Sequence, residues 1–258
     1  MNLSVEERVS DPVEGRYQRI PSPAMGRDVH LWTFGWWGAP VLVFPTAGGM
    51  AHEWKHNGVV DALAPLLRAG RLKLYCPESN ISQTWMNEHA TSAERIERHN
   101  RYERFILETM VPFIRQDCNL PEARILTAGC SMGAMYASTF ALKHPEVFHQ
   151  ALCMSGRYRL STFTDGATDL DFYYNDPLAF VPNLHGAELE RVRRQTRITL
   201  VVGLGPWEGG CLPETLEFAQ ALADREIPVH RDVWGPDAAH SWTWWGAQAA
   251  FHLSRLVP

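Results

Sequence analysis

The sharpest chemical signal in the chain is the pentapeptide Gly129-Cys130-Ser131-Met132-Gly133. It lies between a short apolar run (RILTAG, 124–129) and a helical pattern, the setting of a tight turn from strand to helix. Side chains at the two glycine positions would collide in such a turn, so the serine is held in a strained backbone with its hydroxyl exposed. The chemistry this suits is nucleophilic attack on an acyl carbon. The helix that begins at Met132 adds a backbone N–H and the positive end of its dipole, both matched to a developing oxyanion. Cys130 is the rival nucleophile, but its position in the run points it into a sheet, where it packs.

An ordinary alcohol is a poor nucleophile and needs a neutral imidazole within hydrogen-bond reach. Eleven histidines compete. His240 follows a strand pattern (PVHRDVW, 228–234) and a loop (GPDAA) and precedes an amphipathic helix, the place of the base in the chain order serine, acid, histidine. His144 precedes Pro145 at a helix end, while His230 and His30 lie in strand patterns; each has an ordinary structural reading. The acid is expected after the run ITLVVG (198–203), where Glu208 in GLGPWEGG is the nearest carboxylate. Asp237 competes, but three residues before His240 it fits the Gly235-Pro236-Asp237 turn better. A second oxyanion amide is expected from the loop Pro45-Thr46-Ala47-Gly48-Gly49, with Ala47 as the donor and Thr46 or Gly48 as neighbours able to replace it.

One further motif needs weighing. His52-Glu53-Trp54-Lys55-His56 matches H-E-x-x-H, whose zinc chemistry needs both imidazoles on one face of a continuous helix and a third ligand. Gly48, Gly49 and Gly58 bracket it and leave room for roughly two helical turns. Glu53 and Trp54 are therefore expected to shape the wall beside the oxyanion loop, and no metal or organic cofactor is expected at the site.

The elements that must position these groups are short apolar runs bounded by Gly or Pro: PVLVFP (40–45), LKLYCP (72–77), RILTAG, QALCMSG (150–156) and ITLVVG. They read as strands buried on both faces. DVHLWTFGWW (28–37) alternates only partly and reads as an earlier strand at a sheet edge. Between the runs, Tyr102, Phe105, Ile106, Met110, Val111 and Ile114 recur at helical spacing within 91–117, with Pro112 expected to kink or interrupt the helix. Strands alternating with helices imply a mostly parallel sheet with ligand sites beyond the strand carboxyl ends. The stretch 157–195 is polar, turn-rich and studded with aromatics, and reads as a cap over the site within a single domain spanning 1–258.

With 258 residues, 45% hydrophobic and 21% charged, the chain can bury one large core. A net charge of −5 without a Lys/Arg run lacks the footprint of nucleic-acid binding, and no apolar stretch approaches membrane-spanning length. The first residues, MNLSVEERVSDPVEG, carry acids where a secretory leader carries basic residues, so a cytoplasmic protein is expected. Five cysteines without CxxC spacing argue against disulfides or structural zinc. The 10 tryptophans, several near these motifs, hint at an aromatic-walled pocket.

From about PVLVFP onward the chain resembles the esterase family of α/β hydrolases that includes esterase D-type enzymes and the secreted mycolyltransferases. The blocks that carry the resemblance are GCSMGAMYASTFALKHPEVF followed by MSG, then GLGPWEGG, then HSWTWWGAQ. It implies an α/β-hydrolase fold, a triad of Ser131, Glu208 and His240, an oxyanion amide from Met132, and a small-molecule ester as substrate. The region 157–195 differs from the mycolyltransferases, which leaves the acyl group open. Hydrolysis through an acyl-enzyme is the expected reaction. Transfer to an alcohol by the same groups and a non-catalytic binding protein on this fold are the alternatives.

Overall fold

The apolar runs pair into one eight-stranded sheet with the order β1-β2-β4-β3-β5-β6-β7-β8. The computed structural model describes residues 11–164 and 170–258. Residues 1–10, on which most of the leader reading rests, and 165–169 of the expected cap lie outside them. The strands are β1 (Arg16–Ser22), β2 (Arg27–Phe34), β3 (Ala39–Phe44), β4 (Leu72–Pro77), β5 (Ile125–Cys130), β6 (Phe148–Met154), β7 (Arg197–Gly203) and β8 (Val229–Trp234). From β4 to β8 all neighbours are parallel, while β1/β2 and β2/β4 are antiparallel. The mostly parallel sheet expected from the sequence is therefore present, with one correction. The strand read at 28–37 is not the edge, because β1 pairs along its whole outer side. RYQRIPS escaped notice because a polar run containing proline carries no apolar alternation, and such a segment belongs on an exposed edge.

Alternate residues of the central strands enter two separate cores, as the two-residue strand period requires. Leu42 and Phe44 join one, Val41 and Val43 the other. In chain order the helices are α1 (Glu53–His56), α2 (Val59–Ala62), α3 (Ala64–Arg68), α4 (Ser92–Phe105), α5 (Val111–Asp117), α6 (Met132–Lys143), α7 (Leu170–Tyr173), α8 (Pro177–Phe180), α9 (Gly186–Gln195), α10 (Cys211–Asp224) and α11 (Trp242–Leu256). Residues of α4, α5, α6, α9 and α10 fill the first core, and those of α1, α2, α3 and α11 the second. Helix α6, which follows the nucleophile candidate, is buried from Met132 to Leu142 and so is anchored on every face.

Helix α4 starts at a reciprocal cap: the Glu94 amide donates to Thr91 Oγ1, and the Thr91 amide donates to Glu94 Oε2 at 2.8 Å. The α-helical ladder is interrupted just ahead of Pro112. A π-helical turn at Ile106–Met110 joins α4 to α5, widening the ladder just before the residue that cannot donate. Within 157–195, Tyr158, Leu178, Phe180 and Val181 are buried in the first core, whereas Arg157 and Phe163 border the cavity described below.

Beside this core, His99 is buried with Nε2 2.9 Å from Asn175 Oδ1 and Nδ1 3.3 Å from the Tyr136 hydroxyl. Burial, helped by the Lys143 charge and partly offset by Glu103, pushes its imidazole down from 6.5 to about 4. Between those values the unfolded chain binds the extra proton and the folded chain does not. Stability therefore falls as pH drops through that window, by about 3 kcal/mol from this group alone. His99→Gln is expected to flatten the pH dependence of the unfolding midpoint between pH 6.5 and 4; an unchanged slope would show that His99 is not the group responsible.

Candidate active site

The site gathers where β5, β6, β7 and β8 end. Ser131 follows β5 at φ 55°, ψ −124°, outside the regions L-residues prefer, and its amide donates to the Met154 carbonyl at 2.9 Å. The glycines around it have measurable reasons. A Cβ at Gly129 would lie 2.2 Å from the Gly133 carbonyl oxygen, and one at Gly133 would lie 2.2 Å from the Phe44 carbonyl oxygen. The turn is pressed between its own helix and the end of β3, so it can only be made by residues without side chains at those two positions. Cys130 is fully buried, and burial drives its thiol well above the usual range.

His240 sits in the loop between β8 and α11, and its Nε2 lies 3.2 Å from Ser131 Oγ. That loop is stitched onto the one following β7: the Gly205 amide donates to Ala238 O at 2.9 Å, and the His240 amide to Pro206 O at 3.0 Å. Gly203 permits this contact, since a Cβ there would meet Ala238 O at 1.8 Å. The two loops are thus joined, and between them they carry His240 and Glu208. Glu208 is only 2% exposed, and its Oε2 lies 3.5 Å from His240 Nδ1, a contact longer than a formed hydrogen bond. Bonds of this kind tighten when the reacting carbon is bound. Asp237 is exposed and makes no ion pair with His240 among the described residues.

Two residues that sequence reasoning passed over hold this arrangement. Ser155, after β6 at φ 49°, donates from Oγ to Glu208 Oε1 at 2.5 Å and accepts from Trp245 Nε1 at 3.0 Å. The Trp245 ring in turn meets the His240 ring edge-on, with centroids 4.7 Å apart. Both residues lie in the sequence blocks MSG and HSWTWW, but neither type announces a supporting role by itself. Cys211, at the start of α10, brings its Sγ within 3.6 Å of His240 Nδ1. Burial, then the Glu208 charge, pushes that thiol up to about 12, so it stays protonated and unreactive.

Ala47, Met132, Ser131 and His240 border one cavity of about 220 Å³, together with Met86, Arg157, Phe163, Trp207, Gly210 and Cys211. Neither the Ala47 nor the Met132 amide donates to an acceptor among the described residues. Thr46 differs, because its amide already donates to Glu53 Oε2 at 2.9 Å. Glu53 also takes the Thr46 hydroxyl at 3.0 Å and the Met50 amide at 3.2 Å. Of the H-E-x-x-H segment, Glu53–His56 form the four-residue helix α1, and the Glu53 carboxylate braces the loop after β3. Trp207 is 86% exposed at the rim of the cavity. A larger cavity, about 420 Å³, lies at the starts of β3 and β4 between Trp36, Trp37 and Leu120, at the end of the strands remote from this chemistry.

A family model described as "Putative esterase" matches residues 76–255. None of the curated proteins matches the chain in sequence. Among solved structures, a ferulic acid esterase has a TM-score of 0.71 at 16% identity, with 93% of this chain and 95% of that one covered. MPT51 (FbpC1) of Mycobacterium tuberculosis has 0.71 at 17%, covering 93% and 97%. The S-formylglutathione hydrolase FrmB of Staphylococcus aureus has 0.70 at 14%, covering 93% and 94%. At these identities the likeness establishes the fold, which is the α/β-hydrolase fold.

The packing of the turn generates a test that needs no substrate. Gly133→Ala is expected to lower unfolding stability by about 1–3 kcal/mol, because its Cβ meets backbone that cannot yield. Gly209→Ala, whose Cβ would meet nothing within 4 Å, should be nearly neutral. Equal denaturant midpoints for the two variants would contradict this reading of the turn.

Proposed function

Since the chain belongs to the family described as "Putative esterase", we propose that it is a serine-dependent carboxylesterase acting through an acyl-enzyme. The observation that carries this reading is the 3.2 Å approach of His240 Nε2 to Ser131 Oγ across 109 positions of sequence. In the proposed reaction His240 accepts the Ser131 proton as Oγ attacks the ester carbonyl. The Met132 and Ala47 amides hold the oxyanion, and the alcohol departs with the proton from His240. Water, deprotonated by the same imidazole, then releases the acid. Glu208 orients the imidazole and stabilises its charged form. No step calls on a metal or an organic cofactor.

A cavity of about 220 Å³ fits a short acyl group better than a long chain. Met86, Phe163 and Trp207 offer it apolar walls, and 157–163 forms the part of the proposed cap that reaches the site. We place the reaction in the cytoplasm. All five cysteines are free and buried, as suits a reducing compartment, and no helix among the described residues is long and apolar enough to cross a membrane.

A short-chain nitrophenyl ester should be hydrolysed. Ser131→Ala should reduce kcat by about 10⁴-fold or more while the unfolding midpoint holds, and Glu208→Gln by on the order of 10²–10⁴-fold. Asp237→Asn should leave the rate unchanged. A Ser131→Ala protein that keeps its rate, or a larger loss from Asp237→Asn than from Glu208→Gln, would overturn the assignment.

A further inference from the structure

Away from the triad, the outer strand of the sheet and the final helix bring together three side chains of a different chemistry. His230 and Asp232 are two apart on β8, so both project from one face of the strand. His252 projects from α11, which covers that face. One ligand-capable atom from each lies within 4.8 Å of the other two. Asp232 Oδ2 accepts from His252 Nε2 at 3.0 Å and from Trp234 Nε1 at 2.9 Å. The cluster opens onto a cavity of about 440 Å³ bordered by Thr199, Phe251 and Arg255.

We propose that His230, Asp232 and His252 form a divalent-cation site of zinc type, independent of the esterase reading. Two imidazoles and one carboxylate are a borderline-soft N₂O set, which suits zinc over magnesium or calcium. In a tetrahedral zinc site the donor atoms lie about 3.4 Å apart, so closure needs shifts on the order of 1 Å, within reach of side-chain rotation. Binding requires the His252 proton to pass from Nε2 to Nδ1 through solvent, so that the neutral imidazole turns its Nε2 lone pair to the ion beside Asp232 Oδ2. The Trp234 indole keeps its bond to the carboxylate and orients it. Water from the open cavity completes the coordination.

The site joins β8 to α11, the two elements on either side of the loop that carries His240. A bound ion would clamp the last part of α11 onto the edge strand β8, at the ends of both elements away from that loop. Its contribution is to stability, not to chemistry. Arg255 opposes it: the guanidinium stands 3.5 Å over the Phe251 ring and borders the same cavity, so its charge repels a cation.

Metal-stripped protein titrated with zinc should bind one ion at this site, and its unfolding midpoint should rise. His230→Ala and His252→Gln should each weaken binding by at least ~10-fold. Arg255→Gln should strengthen it by removing the repulsion. His230 is exposed, so its variant carries the test even if the buried His252 variant folds poorly. Cobalt in place of zinc should give four-coordinate visible bands. No zinc uptake would overturn the proposal, as would weaker binding in Arg255→Gln. So would a cobalt–thiolate band with zinc affinity unmoved in His230→Ala, which would put the ion at the Glu208, Cys211 and His240 cluster instead.

Discussion

The close contact of the Ser131 turn with the backbone on either side of it governs everything else in the site. Two carbonyl oxygens, those of Gly133 and Phe44, occupy the space that side chains at 129 and 133 would need. The turn can tighten that far only because both residues are glycine, and its tightness forces Ser131 to φ 55° with the hydroxyl outward. The same contact sets the end of β3 against the start of α6. Two amides without acceptors among the described residues, Ala47 and Met132, therefore border one cavity with the serine. Backbone strain of this sort persists only where surrounding packing over-determines it. Helix α6, buried along nearly its whole length, supplies that packing.

His240 is positioned by a second contact of the same kind. Gly203 lets Ala238 sit against the end of β7, which brings the loops bearing Glu208 and His240 into mutual hydrogen bonding. From there the support runs inward: His240 against Trp245, Trp245 to Ser155, Ser155 to Glu208. Each member fixes the next, so the imidazole has little freedom to turn from the serine.

The central strands were legible in the sequence because burial on both faces leaves a continuous apolar run that no surface segment imitates. Ser131 and Glu208 drew attention because each follows such a run, and His240 because it follows the more polar strand pattern of β8, all three where the topology opens. The edge strand β1 was not, since one polar face and a proline erase the pattern that marks its neighbours. The interruption expected at Pro112 takes a form the sequence does not announce: a π-helical stretch at Ile106–Met110 that parts α4 from α5. Ser155 and Trp245 escaped because hydroxyl and indole groups occur everywhere. Only the fold reveals that these two meet a buried carboxylate and an imidazole.

The most direct test of the account is whether Ser131 is the one activated nucleophile. A fluorophosphonate probe should label the folded protein at one residue, identified by peptide mass spectrometry as Ser131, and His240→Ala should abolish the labelling. Label on Cys130, Cys211 or another serine, or labelling of Ser131 that persists without the imidazole, would contradict it.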